Sequence, residues 1–251
     1  MPVRLVSLLF LIIICPLIFC FGPFDPNNPF VGEDENDTTV INKPSVKDST
    51  ILAYWDFSDS GNNVQTDLSE YRSHGVVTGC KWVQGIKDYA LSFDGNDDYV
   101  EVSKSAQMNF NLSNFTISLF AKVNSSDSTS RNIISKGEKC ASGFAITVAG
   151  KKVLGQVKNF GCSDTDSSTI TDGKWHHIVL VRRDRKGYLY FDNSSIQNFA
   201  CNDSVYSPNN LRLGANSIRN EGYFSGLIDE VKISNTAWSE AQIKAEYDRC
   251  F

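Results

Sequence analysis

Carboxylates, amides and histidines are the side chains of this sequence whose types and spacing could do chemistry. Acidic and amide residues gather where apolar runs end or turn. Asp56 follows Ile-Leu-Ala-Tyr-Trp, Asp94 sits with Asn96, Asp97 and Asp98 in one short turn, and Asp229 lies inside Leu-Ile-Asp-Glu-Val. Calcium takes oxygen ligands from such turns and carboxylates. Turn capping alone explains Asp and Asn at turn positions. Asp229 is different, because a carboxylate beside an apolar core needs a partner. The metal site expected from the sequence is therefore one calcium near Asp56, Asp94 and Asp229. Trp175-His176-His177 is a second candidate, for a metal or a general base. Adjacent strand residues point to opposite faces, so the two histidines do not readily ligate one ion and read as strand residues. The sequence around His74 points to no metal or catalytic role for it. Gly-x-Ser-x-Gly, His-Glu-x-x-His and phosphate-loop patterns are absent from the sequence.

Short strands must position these groups. Asp172 to Asn193 reads as two strands around a polar turn. Trp175, His177, Val179 and Val181 fall on one face of the first strand, and His176, Ile178 and Leu180 on the other. Both faces are largely apolar, as in a strand packed on each side. Arg182 to Gly187 reads as a longer charged loop closed by glycine, and Tyr188 to Phe191 as the return strand. Upstream, Leu91 and Phe93 alternate inward before the Asp94-Gly-Asn-Asp turn, Tyr99 to Val102 returns, and Phe115 to Val123 alternates strongly. Gly143 to Val148 and Val153 to Val157 flank the turn Ala149-Gly150-Lys151. Folding that hairpin about residue 151 sets Cys140 opposite Cys162, which predicts a disulfide between them. Cys80, Cys201 and Cys250 are left over. At the end, Ser239 and Gln242 form a capping box for a short helix, with Trp238 stapled onto Ile243. Many short strands with turns between them indicate an all-β fold: an antiparallel β-sandwich jelly roll with a short C-terminal helix.

The ordered set of motifs resembles laminin-G-like domains of the concanavalin A-like superfamily. The similarity rests on Trp-His-His and its hydrophobic strand with the Tyr-rich return, on Leu91-Ser-Phe-Asp-Gly, on Asn132-Ile-Ile-Ser-Lys-Gly, and on Phe224-Ser-Gly-Leu-Ile-Asp-Glu-Val. Asp67-Leu-Ser-Glu-Tyr-Arg-Ser-His-Gly is similar to a family loop, with Glu70 standing where glycine is usual. The resemblance spans residues 50 to 248 and makes a structural or ligand-bridging calcium an expectation. It also implies a glycosidase alternative, since the superfamily includes glycoside hydrolases. Their chemistry needs two carboxylates flanking the bond, about 5–5.5 Å apart in retaining enzymes. The Glu-x-Asp-x-x-Glu and Glu-x-Asp-x-Glu runs of the β-glucanase branch are absent here. Tyr71, Trp82, Tyr188, Tyr190, Tyr206 and Tyr223 could stack on sugars or fill the core.

The 251 residues are 41% hydrophobic and 21% charged, an ordinary globular composition, and the net charge of −5 leaves no basic stripe for nucleic acid. Residues 1–22 read as a signal peptide or signal anchor, since the apolar run Leu5 to Phe21 is shorter than the ~20 residues of a usual span. Membrane contact is expected only through that leader. Residues 23–49 read as an acidic, Pro-rich linker, and 50–251 as the jelly-roll domain. Asn-x-Ser/Thr sequons at Asn36, Asn111, Asn114, Asn124, Asn193 and Asn202 agree with a secreted or surface-anchored protein. The expected function is non-catalytic binding of an extracellular glycan or glycoprotein, assisted by calcium. A protein–protein module without a sugar site is the alternative, and a divergent glycoside hydrolase the third reading.

Overall fold

A computed structural model of the chain describes residues 47–103, 105–123, 129–137, 142–157 and 170–251. The expected leader, most of the expected linker, and both Cys140 and Cys162 of the expected disulfide lie outside them. Two antiparallel sheets stack. The first holds β1 (Ile51–Trp55), β4 (Lys81–Gln84), β5 (Tyr89–Asp94), β7 (Phe115–Val123), β11 (His176–Arg183), β12 (Lys186–Phe191), β13 (Ser194–Ala200) and β15 (Ser225–Ser234). Its order is β13-β12-β11-β7-β15-β5-β4, with β1 also paired to β15. The second holds β2 (Val64–Gln65), β3 (Gly75–Thr78), β6 (Tyr99–Val102), β8 (Arg131–Lys136), β9 (Phe144–Ala149), β10 (Lys152–Val157) and β14 (Leu211–Leu213), in the order β10-β9-β8-β14-β6-β3-β2. The helix α1 (Glu240–Cys250) closes the chain.

Alternation sets the layers. Leu91, Phe93, Ile117, Leu119, Ile178 and Leu180 from the first sheet meet Val100, Ile134, Ile146 and Leu213 from the second in one buried cluster. The other face of β11 is buried as well. Val179 and Val181 pack with Ile51, Tyr190, Trp238 and Ile243, so α1 covers the outside of the first sheet. Its start is the expected capping box, with Gln242 N donating to Ser239 Oγ and Ser239 N to Gln242 Oε1. Beneath the helix, Lys232 reaches Glu246 at 2.8 Å, and Glu230 takes both Arg249 and the Tyr54 hydroxyl at 2.6 Å.

The central hairpin is tighter than its sequence suggests. Arg183 pairs with Lys186, which leaves a two-residue turn of Asp184 (φ 50°) and Arg185 (φ 62°). Two left-handed residues make a type I′ turn, whose twist matches that of paired strands. Arg182 is therefore a strand residue. It is fully buried, and its guanidinium donates to the carbonyls of Asn111, Ser113, Cys201 and Asp203, pinning two loops to β11. Gly187 is not the turn residue either. It pairs with Arg182 and Phe199, and a Cβ there would strike the Phe199 ring.

Two more polar residues act as internal clasps. The buried Asp67 carboxylate accepts from the backbone N–H groups of Tyr54, Ser69 and Ser73, and its own N–H donates to His74 Nδ1. The family-like loop is thus organised by Asp67. Glu70 is absent from the left-handed residues, so it needs no glycine. Among the described residues, the buried Lys136 has no carboxylate partner. Its ammonium donates to Ser105 Oγ and to the carbonyls of Ser207 and Asn209, and burial pushes it down to about 8.

Candidate functional site

The outside of the second sheet carries a polar row. Strand register aligns Gln156, Ala145, Ser135, Arg212, Glu101, Val76 and Val64 across it. Their chain neighbours Val157, Ile146, Ile134, Leu211, Val102 and Val77 face the core, so the row points away from the first sheet. Arg212 is the centre of the row. Its Nε donates to Glu101 at 2.8 Å, its guanidinium lies 4.4 Å over the Tyr99 ring, and its Nη1 reaches Asn216 O and Asn220 Oδ1. These bonds hold the loop after β14 against the sheet, where Ser135 Oγ also donates to Ala215 O.

A pocket of about 330 Å³ opens where that loop meets the start of β8, lined by Thr129, Ser130, Asn132, Asn216, Glu221 and Gly222. Sequence reasoning missed it, because its halves are about 90 residues apart and meet through the pairing of β8 with β14 and the Asn132 N–H to Gly222 O bond of 2.8 Å. The Asn216 side chain caps its own turn, accepting from Ile218 N and Arg219 N. Gly222 is left-handed at φ +64°, and a Cβ on it would run into the Asn132 amide. On the same sheet face, Thr147 lies directly opposite Asn132, and its buried Oγ1 has no hydrogen-bond partner. Both polar atoms of the Gln156 amide are also buried and unpartnered. The lining mixes hydroxyls, amides and one carboxylate, a set that can donate to and accept from a hydroxyl-rich ligand.

The expected calcium trio does not come together. Asp229 is buried, and its Oδ2 accepts the N–H groups of Ile86 and Lys87 while Oδ1 accepts that of Glu230. It therefore stabilises the β4–β5 turn and the bulge in β15 at Glu230 (φ 52°). Burial pushes its carboxyl up to about 8. Asp56 accepts from the Ser58 N–H and hydroxyl just beyond β1. Asp94 instead groups with Asp97 and Asp98, ligand atoms within 4.8 Å of one another. Within that turn, Asp94 Oδ1 accepts from Asn96 N and Asp98 Oδ2 from Asp94 N. Hydrogen bonds from Asn96 hold the Asp94 carboxyl below its ordinary value, while burial raises that of Asp98.

The two histidines face opposite ways, as alternation requires. His176 lies between carboxylates, 2.7 Å from Asp192 and 2.9 Å from Asp172. Burial opposes its protonation, but the bonds to Asp192 and Asp172 outweigh that and raise its pKa. His177 is wholly buried under α1, stacked on Phe120, with Nε2 2.8 Å from Ser118 Oγ and Nδ1 unpartnered. Burial pushes it down to about 4. Their rings lie on opposite faces of β11, among separate partners. Of the aromatics, Tyr71 and Tyr206 are exposed, Tyr190 is core, and Trp82 packs partly against the core. Cys80, Cys201 and Cys250 carry free thiols.

No curated protein matches the sequence. Solved structures match the fold at low identity. The binding domain of Paraclostridial Mosquitocidal Protein 1 has a TM-score of 0.67 at 16% identity, over 80% of this chain and 52% of that one. The binding domain of Botulinum Neurotoxin DC, solved in complex with SialylT, has a TM-score of 0.62 at 15% identity, over 81% and 52%. Domain 4 of AbnA, a GH43 extracellular arabinanase from Geobacillus stearothermophilus, solved with arabinotriose, gives 0.60 at 16% identity, over 78% and 97%. The chain thus spans about half the length of the two toxin binding domains. A laminin-G family model described as "Concanavalin A-like lectin/glucanases superfamily" matches residues 94–244, more than half of the sequence, and the chain belongs to that family.

Proposed function

We propose that the chain is a non-catalytic extracellular binding module that recognises a glycan or glycoprotein. The observation that carries this reading is the polar pocket of about 330 Å³ at the rim of the second sheet, with its hydroxyl, amide and carboxylate lining. Two of the similar folds were solved with SialylT and with arabinotriose, which supports a sugar ligand. Among the described residues lining the pocket only Glu221 is a carboxylate, whereas glycoside hydrolysis needs a pair flanking the bond. The apolar run Leu5 to Phe21, which reads as a signal peptide or signal anchor, and the sequons support an extracellular setting. The apolar end of the polar row, Val64 and Val76 at 46% and 52% exposure, is what favours a protein partner instead. The test is a glycan array probed with the folded full chain, in calcium and in chelator. Hits in both conditions support direct recognition, and hits lost in chelator assign a bridging calcium. No hits in either condition overturn the glycan reading in favour of the protein partner.

A further inference from the structure

We infer that the pocket formed by Ser130, Asn132, Asn216 and Glu221 is the glycan site and that it selects neutral saccharides over acidic ones. This rests on the glycan-binding reading above and adds a site and a ligand class to it.

Hydrogen-bonding capacity is the first ground. Asn132 spends one amide hydrogen on a long 3.4 Å contact with Gly222 O, which leaves its Oδ1 and second N–H available. Asn216 uses Oδ1 on its own turn and keeps its Nδ2 hydrogens. Glu221 adds an acceptor and Ser130 a hydroxyl. Neighbouring sugar hydroxyls each donate and accept, and a cluster of amides with one carboxylate satisfies both roles. Gly222 keeps the pocket open, since a side chain there would displace the Asn132 amide. Thr147, which is not part of the pocket lining, sits across the strand pair from Asn132 with a buried hydroxyl that has no hydrogen-bond partner. The pocket is thus built beside polar capacity that the fold itself does not use.

Charge is the second ground. Glu221 is the one ionisable group among the described lining residues. The nearby cations are engaged. Arg219 lies 3.6 Å from Glu221, Arg212 is bound to Glu101, and Arg131 donates to Gly95 O and Tyr223 O. A sialylated or sulfated sugar would bring its anion against the Glu221 carboxylate and would have to take Arg219 from it. Near a solvated surface, like charges a few Å apart disfavour binding by roughly fivefold or more.

The test is one array of neutral, sialylated and sulfated glycans, probed with the full chain as wild type, Glu221→Gln and Asn132→Ala, each shown to be folded by its melting curve. The expected result is neutral hits, about tenfold weaker in Asn132→Ala, with the acidic-to-neutral binding ratio rising about fivefold in Glu221→Gln. Glu221 is exposed, so its variant reports even if Asn132→Ala does not fold. Acidic-only hits, or equal binding of both classes, overturn the selectivity while leaving the module reading intact. Neutral hits untouched by either variant overturn the site. An array with no hits overturns the glycan-binding reading itself.

Discussion

Replacing His177 by glutamine should remove the loss of stability in mild acid that this residue itself contributes, a loss that the raised Asp229 carboxyl opposes over the same pH range. His177 is neutral in the fold because it is sealed between Phe120 and α1, with Tyr247 at 6.2 Å and Nδ1 facing no acceptor. Burial dominates over the charges around it, where Glu246 and Asp192 favour its protonation and Lys232 and Arg249 oppose it. Its pKa falls from 6.5 to about 4 on folding. The unfolded chain therefore binds the proton first, and stability is lost as pH falls through about 6.5 and levels off near 4. The slope is ~1.4 kcal/mol per pH unit, or about 2 kcal/mol between pH 6.5 and pH 5. Urea unfolding at pH 7 and pH 5 measures it. His177→Gln can still bond Ser118 but does not titrate, so its acid loss should be smaller than that of wild type by about 2 kcal/mol. The adjacent His176 should behave in the opposite sense. Its pKa is raised in the fold, so it contributes stability that is present at low pH and lost as pH rises, and His176→Gln should enlarge the acid loss. Equal pH losses in wild type and His177→Gln would refute this account of the histidine pair.

Other perturbations follow from the same contacts. Lys136→Ala leaves Ser105, Ser207 and Asn209 without their shared donor and should cost about 2–3 kcal/mol in chemical denaturation. Gly187→Ala should destabilise by about 1–3 kcal/mol through collision with Phe199, and Phe199→Ala in the same chain should restore most of it. An unrescued double variant would mean that Gly187 is needed for its backbone and not for space. Asp229→Ala unpairs the Ile86 and Lys87 N–H groups and should lower the melting temperature equally in calcium and in chelator, while Asp229→Asn, which keeps an acceptor, should cost less. A loss seen only in calcium would instead make Asp229 a metal ligand.

Elements defined by strict alternation were legible in the sequence. The two-sided burial of β11, the outward and inward histidines, the Gly150 hairpin and the Ser239 capping box all follow from local pattern, although the hairpin folds one residue off the expected register, with Lys152 and not Val153 opposite Ala149. The central turn was misread because Gly187 is the obvious left-handed residue, while Asp184 and Arg185 take that conformation to close a tighter hairpin. Asp229 looked like a ligand because its partners, the amides of Ile86 and Lys87, lie more than 140 residues away. The rim pocket was invisible for the same reason. Its two segments carry unremarkable Asn, Ser, Thr and Glu, and only the pairing of β8 with β14 brings them together.

The central claim is that this chain holds a glycan without transforming it. The most direct measurement is to incubate the folded full chain with its strongest array glycan and follow both the bound fraction and the release of reducing ends. The account predicts saturable, reversible binding with the glycan recovered intact. No binding by folded protein, or reducing ends that accumulate with time, would contradict it.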